Sequence, residues 1–275
     1  MMPELPEVQT VINYLKTKII NQKINNVIVS ALKVLKNATA KEFKKFLVNE
    51  HFVDIKRIGK YIIFILSNNK VLVSHLRMEG KYKISQFKAK YDERHVLVRF
   101  ILDDFELHYH DTRRFGTFHI HSVLDYQDQD YLKKLAIDPT QQEWDWKYLK
   151  NNAQKSSRVI KSVLLDQSVV AGIGNIYADE ILFLSKINPA KKANELTDQQ
   201  FKEISKNATK VLLKAIELNG TTIFSYQFKE NHAGSYQDYL NVHLQKDKPC
   251  KVCGNLVKKT KLNNRGTYYC AKCQK

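Results

Sequence analysis

The 275-residue chain carries 45 Lys or Arg against 28 Asp or Glu, a formal charge of +17, and 43% apolar residues. That apolar share excludes wholesale disorder, and no apolar run approaches the roughly 18 residues a membrane-crossing helix needs. The charge imbalance exceeds what solubility requires and points to a polyanionic partner, foremost nucleic acid, and a soluble cytoplasmic protein is expected.

The chain opens Met-Met-Pro-Glu-Leu-Pro-Glu-Val-Gln-Thr. Val8, Val11, Ile12, Leu15 and Ile19 or Ile20 recur at helical spacing, Pro6 suits an early helical position, and Glu7 falls in the first turn, where the helix dipole favours an anion. Were Pro3 the true first residue, its secondary amine would be free, with Glu4 beside it. An ordinary helix start behind a processed leader accounts for the same residues.

Strand signals follow at Val27 to Val29, His51 to Ile55, Tyr61 to Leu66, Val71 to His75, Tyr82 to Ile84, His95 to Ile101, Glu106 to His110 and Phe115 to Ile120. Asn68-Asn69 and Asp103-Asp104 fit connecting turns, and Thr39 to Val48 fits one short helix. Because no helical crossovers of adequate length interrupt the strands, the expectation for residues 1–125 is a two-layered antiparallel β-sandwich with flanking helices. Two clusters in this region carry chemistry. In His75-Leu-Arg-Met-Glu-Gly80, Met78 is either an exposed probe or core filler. In Asp111-Thr-Arg-Arg-Phe-Gly116, Arg113 and Arg114 either meet phosphates or pair with nearby aspartates, and Phe115 either wedges between bases or fills the core. The nine histidines form no convincing metal cluster.

Residues 126–139 are polar and mixed, as a linker would be. The periodicity then turns helical over Trp144 to Asn151, Arg158 to Leu165, Ile176 to Leu184 and Thr197 to Leu218, with a capping box at Thr197-x-x-Gln200 and a stop at Gly220. The turn Val169-Val-Ala-Gly-Ile-Gly-Asn175 either receives a phosphate on exposed amides or serves as a structural helix turn. Residues 140–246 are thus expected to form a helical domain and 247–275 a small terminal module, giving an α+β protein.

Within that module residues 248–275 hold eight Lys or Arg and no Asp or Glu, and the pairs Cys250/Cys253 and Cys270/Cys273 are separated by sixteen residues. Two such pairs supply four thiolates to one tetrahedral structural zinc; two disulfides are the competing use, disfavoured in a reducing compartment. No phosphate-loop or zinc-hydrolase motif is present, and no organic cofactor is expected.

Taken together, Pro3-Glu-Leu-Pro-Glu-Val8, Gly59-Lys-Tyr61, His75-Leu-Arg-Met78, Asp111 to Gly116, Gly172-Ile-Gly-Asn-Ile-Tyr177, Gly220-Thr-Thr222 and the four-cysteine finger resemble the bacterial formamidopyrimidine-DNA glycosylase family across essentially the whole chain. The resemblance implies base-excision DNA repair: a bifunctional glycosylase and lyase at apurinic or apyrimidinic sites, excising oxidised purines through a Schiff base on an N-terminal proline. It makes residues 140–246 a helix-two-turn-helix DNA-binding domain with a lesion-capping loop in Ser225 to Val242. Leu5 and the Arg-Arg-Phe loop favour this branch over the endonuclease VIII type, which acts on oxidised pyrimidines; a non-catalytic damage-binding protein is the alternative from another class.

By the same resemblance, Pro3 is the nucleophile, Glu4 the acid and base, Lys60 an assistant in base release and strand cleavage, and Arg265 the residue that aids the second elimination. His95, Arg114, Lys155, Lys161 and Asn175 look like DNA contacts. Met78, Arg113 and Phe115 look like the set that fills the void left by an extruded base, preferably opposite cytosine. The implied protein is a monomer acting on damaged double-stranded DNA with one zinc ion per chain. Two departures stand out: Val242-His-Leu-Gln245 occupies the place of a Tyr-Gly-Arg-like turn, and Met1-Met2 precedes Pro3 where one methionine is expected. Initiation at Met2 followed by its removal would expose the proline.

Overall fold

The computed structural model describes residues 2–87, 92–221 and 234–275. The chain divides into two compact units. Glu7–Lys133 forms the body of the first, with the N-terminal piece ending at Pro3; Glu4–Pro6, Lys134–Thr221 and Ser235–Lys275 form the second.

The first unit carries most of α1 (Leu5–Ile19), then β1 (Asn26–Val29), α2 (Ala40–Leu47), β2 (Phe52–Ile58), β3 (Tyr61–Leu66), β4 (Lys70–His75), β5 (Lys81–Ser85), β6 (Val96–Ile101), β7 (Glu106–His110), β8 (Thr117–Ser122) and α3 (Asp130–Lys133). The strands make two four-stranded antiparallel sheets, ordered β1-β6-β7-β5 and β2-β3-β4-β8. Asn68 and Asn69 both take left-handed φ (52° and 57°) between β3 and β4, a conformation asparagine tolerates better than most residues. Asp103, between β6 and β7, accepts from Lys23 N and Asn25 Nδ2, each at 3.0 Å.

Both sheets and α1 feed one apolar core. Val8, Val11, Ile12, Leu15 and Ile19 enter it from α1, Phe43 and Leu47 from α2, Phe52, Phe64 and Phe118 from one sheet, and Val98, Phe100 and Tyr109 from the other. Phe118 is fully buried and meets Tyr109 edge-on at 4.8 Å, with Phe43 at 6.0 Å and Phe100 at 6.3 Å. Phe118→Ala should therefore cost about 3–5 kcal/mol, seen as a lower urea midpoint at unchanged slope. A midpoint equal to that of the unmodified chain would show that this aromatic cluster does not hold the unit together.

Several strand boundaries differ from the sequence expectation, and two of the differences have a visible cause. His95 ends a single 3₁₀ turn, Glu93–His95, because the Asp92 side chain accepts from Arg94 N, and the strand begins at Val96. Phe115 lies in a loop, since hydrogen bonds to Asp111 hold residues 113–116 away from the ladder. Residues 126–133, polar in sequence, form helical turns whose Tyr131 stacks on His119 at 4.2 Å.

The second unit contains α4 (Trp146–Ala153), α5 (Ile160–Leu164), α6 (Asn175–Leu184), α7 (Asp198–Glu217) and the antiparallel hairpin β9 (Lys258–Leu262) and β10 (Arg265–Tyr269). The Thr197/Gln200 capping box starts α7, and left-handed Asn219 and Gly220 end it. Along α7, Phe201, Ile204, Ala208, Val211, Leu212 and Ala215 make the buried stripe that its spacing predicts. Among the described residues no helix is long and apolar enough to cross a membrane.

Candidate active site and nucleic-acid interface

In the second unit the focal point is the start of α6. Gln167 clamps the preceding turn from both ends: its Nε2 donates to Ile173 O at 2.9 Å and its Oε1 accepts from Gly172 N at 2.9 Å. Gly172 has φ +86°, and its carbonyl accepts from Leu5 N at 3.1 Å. That anchor brings the Glu4 carboxylate onto the helix N-terminus, where Oε1 accepts from Ile176 N at 2.9 Å and Oε2 from Tyr177 N at 3.4 Å. The positive end of the helix dipole reinforces both bonds. Gly174 leaves room for this seat: a Cβ there would overlap Glu4 Cδ, Cγ and Oε1. These two amides, just past the turn, therefore hold an internal carboxylate. Glu4 itself is 2% exposed.

Asn175, the first residue of α6, donates from Nδ2 to Gly266 O at 3.0 Å, and its Oδ1 is buried without a partner. Lys161 donates to the same carbonyl at 2.9 Å and to Thr267 Oγ1 at 2.9 Å, and forms an ion pair with Asp179 Oδ1 at 2.7 Å. Burial pushes the Lys161 ammonium pKa down, and the Asp179 carboxylate opposes that shift. Arg265 opens β10 with an exposed side chain, just after left-handed Asn263 and Asn264, the pair of positive φ angles that a two-residue type I′ hairpin turn requires. Lys155, between α4 and α5, is exposed.

The four cysteine sulfurs lie within 4.8 Å of one another. Cys250 and Cys273 sulfurs are 3.9 Å apart, and those of Cys253 and Cys270 are 3.5 Å apart. Zinc–sulfur bonds near 2.3 Å in a tetrahedron set sulfurs about 3.8 Å apart, so the donor set fits one ion. Gly254, at φ +74°, closes the first pair through Gly254 N to Cys250 O at 2.9 Å, and Gln274 Oε1 accepts from Cys270 N at 2.8 Å. Such backbone bonds orient ligands before a metal arrives.

In the first unit, Lys60 sits in the two-residue turn between β2 and β3 and is 4% exposed. Gly59 supplies the left-handed φ of 55°, and Arg57 braces the turn, donating to Gly59 O at 3.1 Å and to Gln9 Oε1 at 2.9 Å. His75 is held neutral, its pKa lowered to about 3 by burial and then by Arg77 and Lys60. The neutral ring accepts from Arg77 N through Nδ1 at 2.9 Å, which shapes the turn carrying Met78.

The structure brings the three void-filling candidates together on two linked turns. Asp111, 1% exposed, accepts from Arg113 N at 3.0 Å, Phe115 N at 2.8 Å and Gly116 N at 2.7 Å. Thr112 Oγ1 donates across to Glu79 Oε2 at 2.6 Å. Gly80 and Gly116, one on each turn, both abut the hydroxyl end of Tyr109, so neither admits a Cβ. Phe115 is 46% exposed with the Arg113 guanidinium 4.9 Å from its ring centre, while Met78 is half-buried and Arg114 exposed. His95 lies at the head of β6, with Nδ1 buried and without a hydrogen-bond partner among the described residues. The part of the expected capping loop within 222–233 lies outside the described residues.

Family models match in register with these elements: the formamidopyrimidine-DNA glycosylase N-terminal domain over 2–118, the formamidopyrimidine-DNA glycosylase H2TH domain over 135–227, and a zinc finger found in FPG and IleRS over 247–275. The chain belongs to the formamidopyrimidine-DNA glycosylase family. It is 53% identical to the formamidopyrimidine-DNA glycosylase of Mycoplasma genitalium over 275 residues, covering 100% of this chain and 96% of that protein. Its fold superposes with TM-score 0.94 and 36% identity on a Lactococcus lactis FPG mutant in complex with a Fapy-dG containing DNA, covering 99% of this chain and 100% of that one. With the Lactococcus lactis Fpg bound to an abasic site containing DNA the values are 0.93 and 35%, covering 99% of each chain.

Sequence reasoning misses the residues that build this family site from behind. Asp111 reads there as a possible ion-pair partner, and its three backbone bonds lie beyond any spacing rule. Asp179, Glu180 and His243 carry no motif. Glu180, fully buried on α6, accepts from Asn241 N, Asn241 Nδ2, Val242 N and His243 N, each at 2.9 Å. A signal exists in the adjacent acidic pair Asp179-Glu180 within an otherwise apolar helix, since buried carboxylates demand partners.

Proposed function

We propose that the chain is a bifunctional DNA glycosylase and lyase of base-excision repair, acting on oxidised purines such as 8-oxoguanine and formamidopyrimidines. The observation that carries this is the Glu4 carboxylate seated on the α6 N-terminus, next in the chain to Pro3, in a protein matched to the family along its length.

In this reading the Pro3 nitrogen, freed as a secondary amine by removal of the preceding methionines, donates its lone pair to C1′ of the damaged nucleotide as the bond to the base breaks. Glu4 supplies the proton that opens the deoxyribose ring, and the product is an iminium. The iminium withdraws electrons. Loss of a C2′ proton expels the 3′ phosphate, and loss of a C4′ proton then expels the 5′ phosphate. Water releases the sugar fragment from Pro3, leaving a one-nucleoside gap with phosphates on both ends. Lys60 assists base release and strand cleavage, and Arg265 aids the second elimination. His95, Arg114, Lys155 and Asn175 contact the DNA backbone. Met78 and Phe115 offer apolar surface to the emptied stack, and Arg113 offers donors to the orphaned base, preferably cytosine.

The four thiolates hold one structural zinc, which supplies folding energy to the hairpin and no chemistry. The organisation that serves this activity is a catalytic β-sandwich over 1–125, supported by the core common to both sheets, a linker over 126–139, a helix-two-turn-helix domain over 140–246 and a finger over 247–275. The protein works as a monomer on double-stranded DNA in the cytoplasm.

Intact and N-terminal mass analysis of the active protein, coupled to borohydride trapping on an 8-oxoguanine:cytosine duplex, tests the reading. A chain beginning at Pro3 and a covalent DNA adduct at that residue are expected. A homogeneous active preparation beginning at Met1 or Met2 removes the proposed nucleophile. Faster release from thymine-glycol DNA would move the substrate to oxidised pyrimidines, and intact DNA without adduct would leave a damage-binding protein.

A further inference from the structure

We infer that Lys161, Asp179 and His243 form a buried positioning unit that fixes the backbone from Arg265 to Tyr268, so that Lys161 serves the second elimination through Arg265 and makes no contact with DNA. The inference rests on the role proposed above for Arg265.

The side chains of Lys161, Asp179 and His243 are 1%, 0% and 1% exposed. Two of the three N–H donors of the Lys161 ammonium go to Gly266 O and Thr267 Oγ1, and its charge is paired with Asp179 Oδ1 at 2.7 Å in a site closed to solvent, which leaves no open face for a phosphate. The other Asp179 oxygen accepts from His243 Nδ1 at 2.8 Å and from Tyr268 N at 3.3 Å, so the carboxylate is pinned on both sides. His243 is fixed in turn by its own N–H, held on Glu180 at 2.9 Å.

What this unit grips is the peptide chain around Arg265. The Gly266 carbonyl, one residue on, receives both Lys161 and Asn175. The Arg265 carbonyl is reached by relay: Lys161 donates to Thr267 Oγ1, and that hydroxyl donates to Arg265 O at 3.1 Å. On the other side of Arg265, Asn263 Nδ2 donates to Ser162 Oγ at 2.7 Å, tying the turn to the residue after Lys161. The Arg265 side chain is exposed while its backbone is held from α5 and α6, the arrangement expected of a group that must reach a ligand from a fixed base.

The test measures, on abasic DNA, the yield of double-elimination product relative to borohydride-trapped adduct. Normalising to the adduct counts only enzyme folded well enough to form it. Lys161→Met should lower this ratio about tenfold, as small misplacements of a catalytic group do. Thr267→Val breaks the relay without leaving a buried charge unpaired, and should lower the ratio in the same direction, by less. Combined with Arg265→Ala, neither change should lower the ratio further, because all three act on one group. An unchanged ratio in Thr267→Val and Lys161→Met, or losses that add to that of Arg265→Ala, would overturn the inference. Failure of the unmodified enzyme to form any adduct would instead overturn the proposed function.

Discussion

Gly174→Ala should slow release of 8-oxoguanine by roughly 100- to 10,000-fold, the range typical for loss of a positioned general acid, while leaving Glu4 itself unaltered. At φ −129° and ψ −161° the backbone at 174 is extended, a conformation open to alanine, so the residue can be accommodated locally. What it cannot share is space with the Glu4 carboxyl carbon, which lies where the new methyl group must go. The carboxylate would leave Ile176 N and Tyr177 N, stranding two amides at the helix start. Stability should fall by about 2–6 kcal/mol, the cost of two stranded buried amides, so a lower melting temperature would accompany the kinetic defect. Single-turnover base release read beside thermal unfolding separates the two effects. Unimpaired release in Gly174→Ala would mean that the seat on α6 has no part in the chemistry.

Stripping the metal should have the second large effect. If the four cysteines hold the proposed zinc, its removal by a chelator, confirmed by metal analysis, should open the finger to proteolysis near its turn and weaken DNA binding. Apparent zinc-binding energies of about 10 kcal/mol or more in small fingers are energies of folding, and here Cys250 and Cys270 also belong to the local core with Phe183, Val242, Val257 and Tyr268. The eight basic residues of 248–275 lose their common scaffold together. The salt dependence of binding should flatten by about 0.9 in log–log slope for each phosphate that the finger no longer neutralises. Cys253→Ala should reproduce the chelated state. Unchanged affinity, salt slope and protease resistance in metal-free protein would show that the finger stands without an ion.

Much of this molecule is legible from its residues. Alternating strand patterns, the Thr197/Gln200 box and the paired cysteines rest on local chemistry, and local chemistry survives into the fold. The boundary errors come from side chains acting on a distant backbone: Asp111 draws Phe115 and Gly116 out of the strand, and Tyr131 orders a polar stretch by stacking on His119. The glycines before α6 stand out because they make room at the helix start, yet the anion seated there, on Ile176 N, is a carboxylate 172 residues away in the chain. Lys161 shows the same limit. In sequence it is one basic residue in a basic protein, and only its burial against Asp179 shows that its charge is already spoken for.

The shared abutment of Gly80 and Gly116 on Tyr109 bears on any attempt to re-engineer the two turns that carry Met78, Arg113 and Phe115. The side chains of Met78, Arg113 and Phe115 can be exchanged one by one, because they project from their turns. The turns themselves cannot be lengthened or reshaped separately: each meets the same ring end, and Thr112 ties one to Glu79 on the other. Libraries that vary side chains over a fixed loop backbone should yield active variants, whereas insertions in either loop should need a matching change at Tyr109.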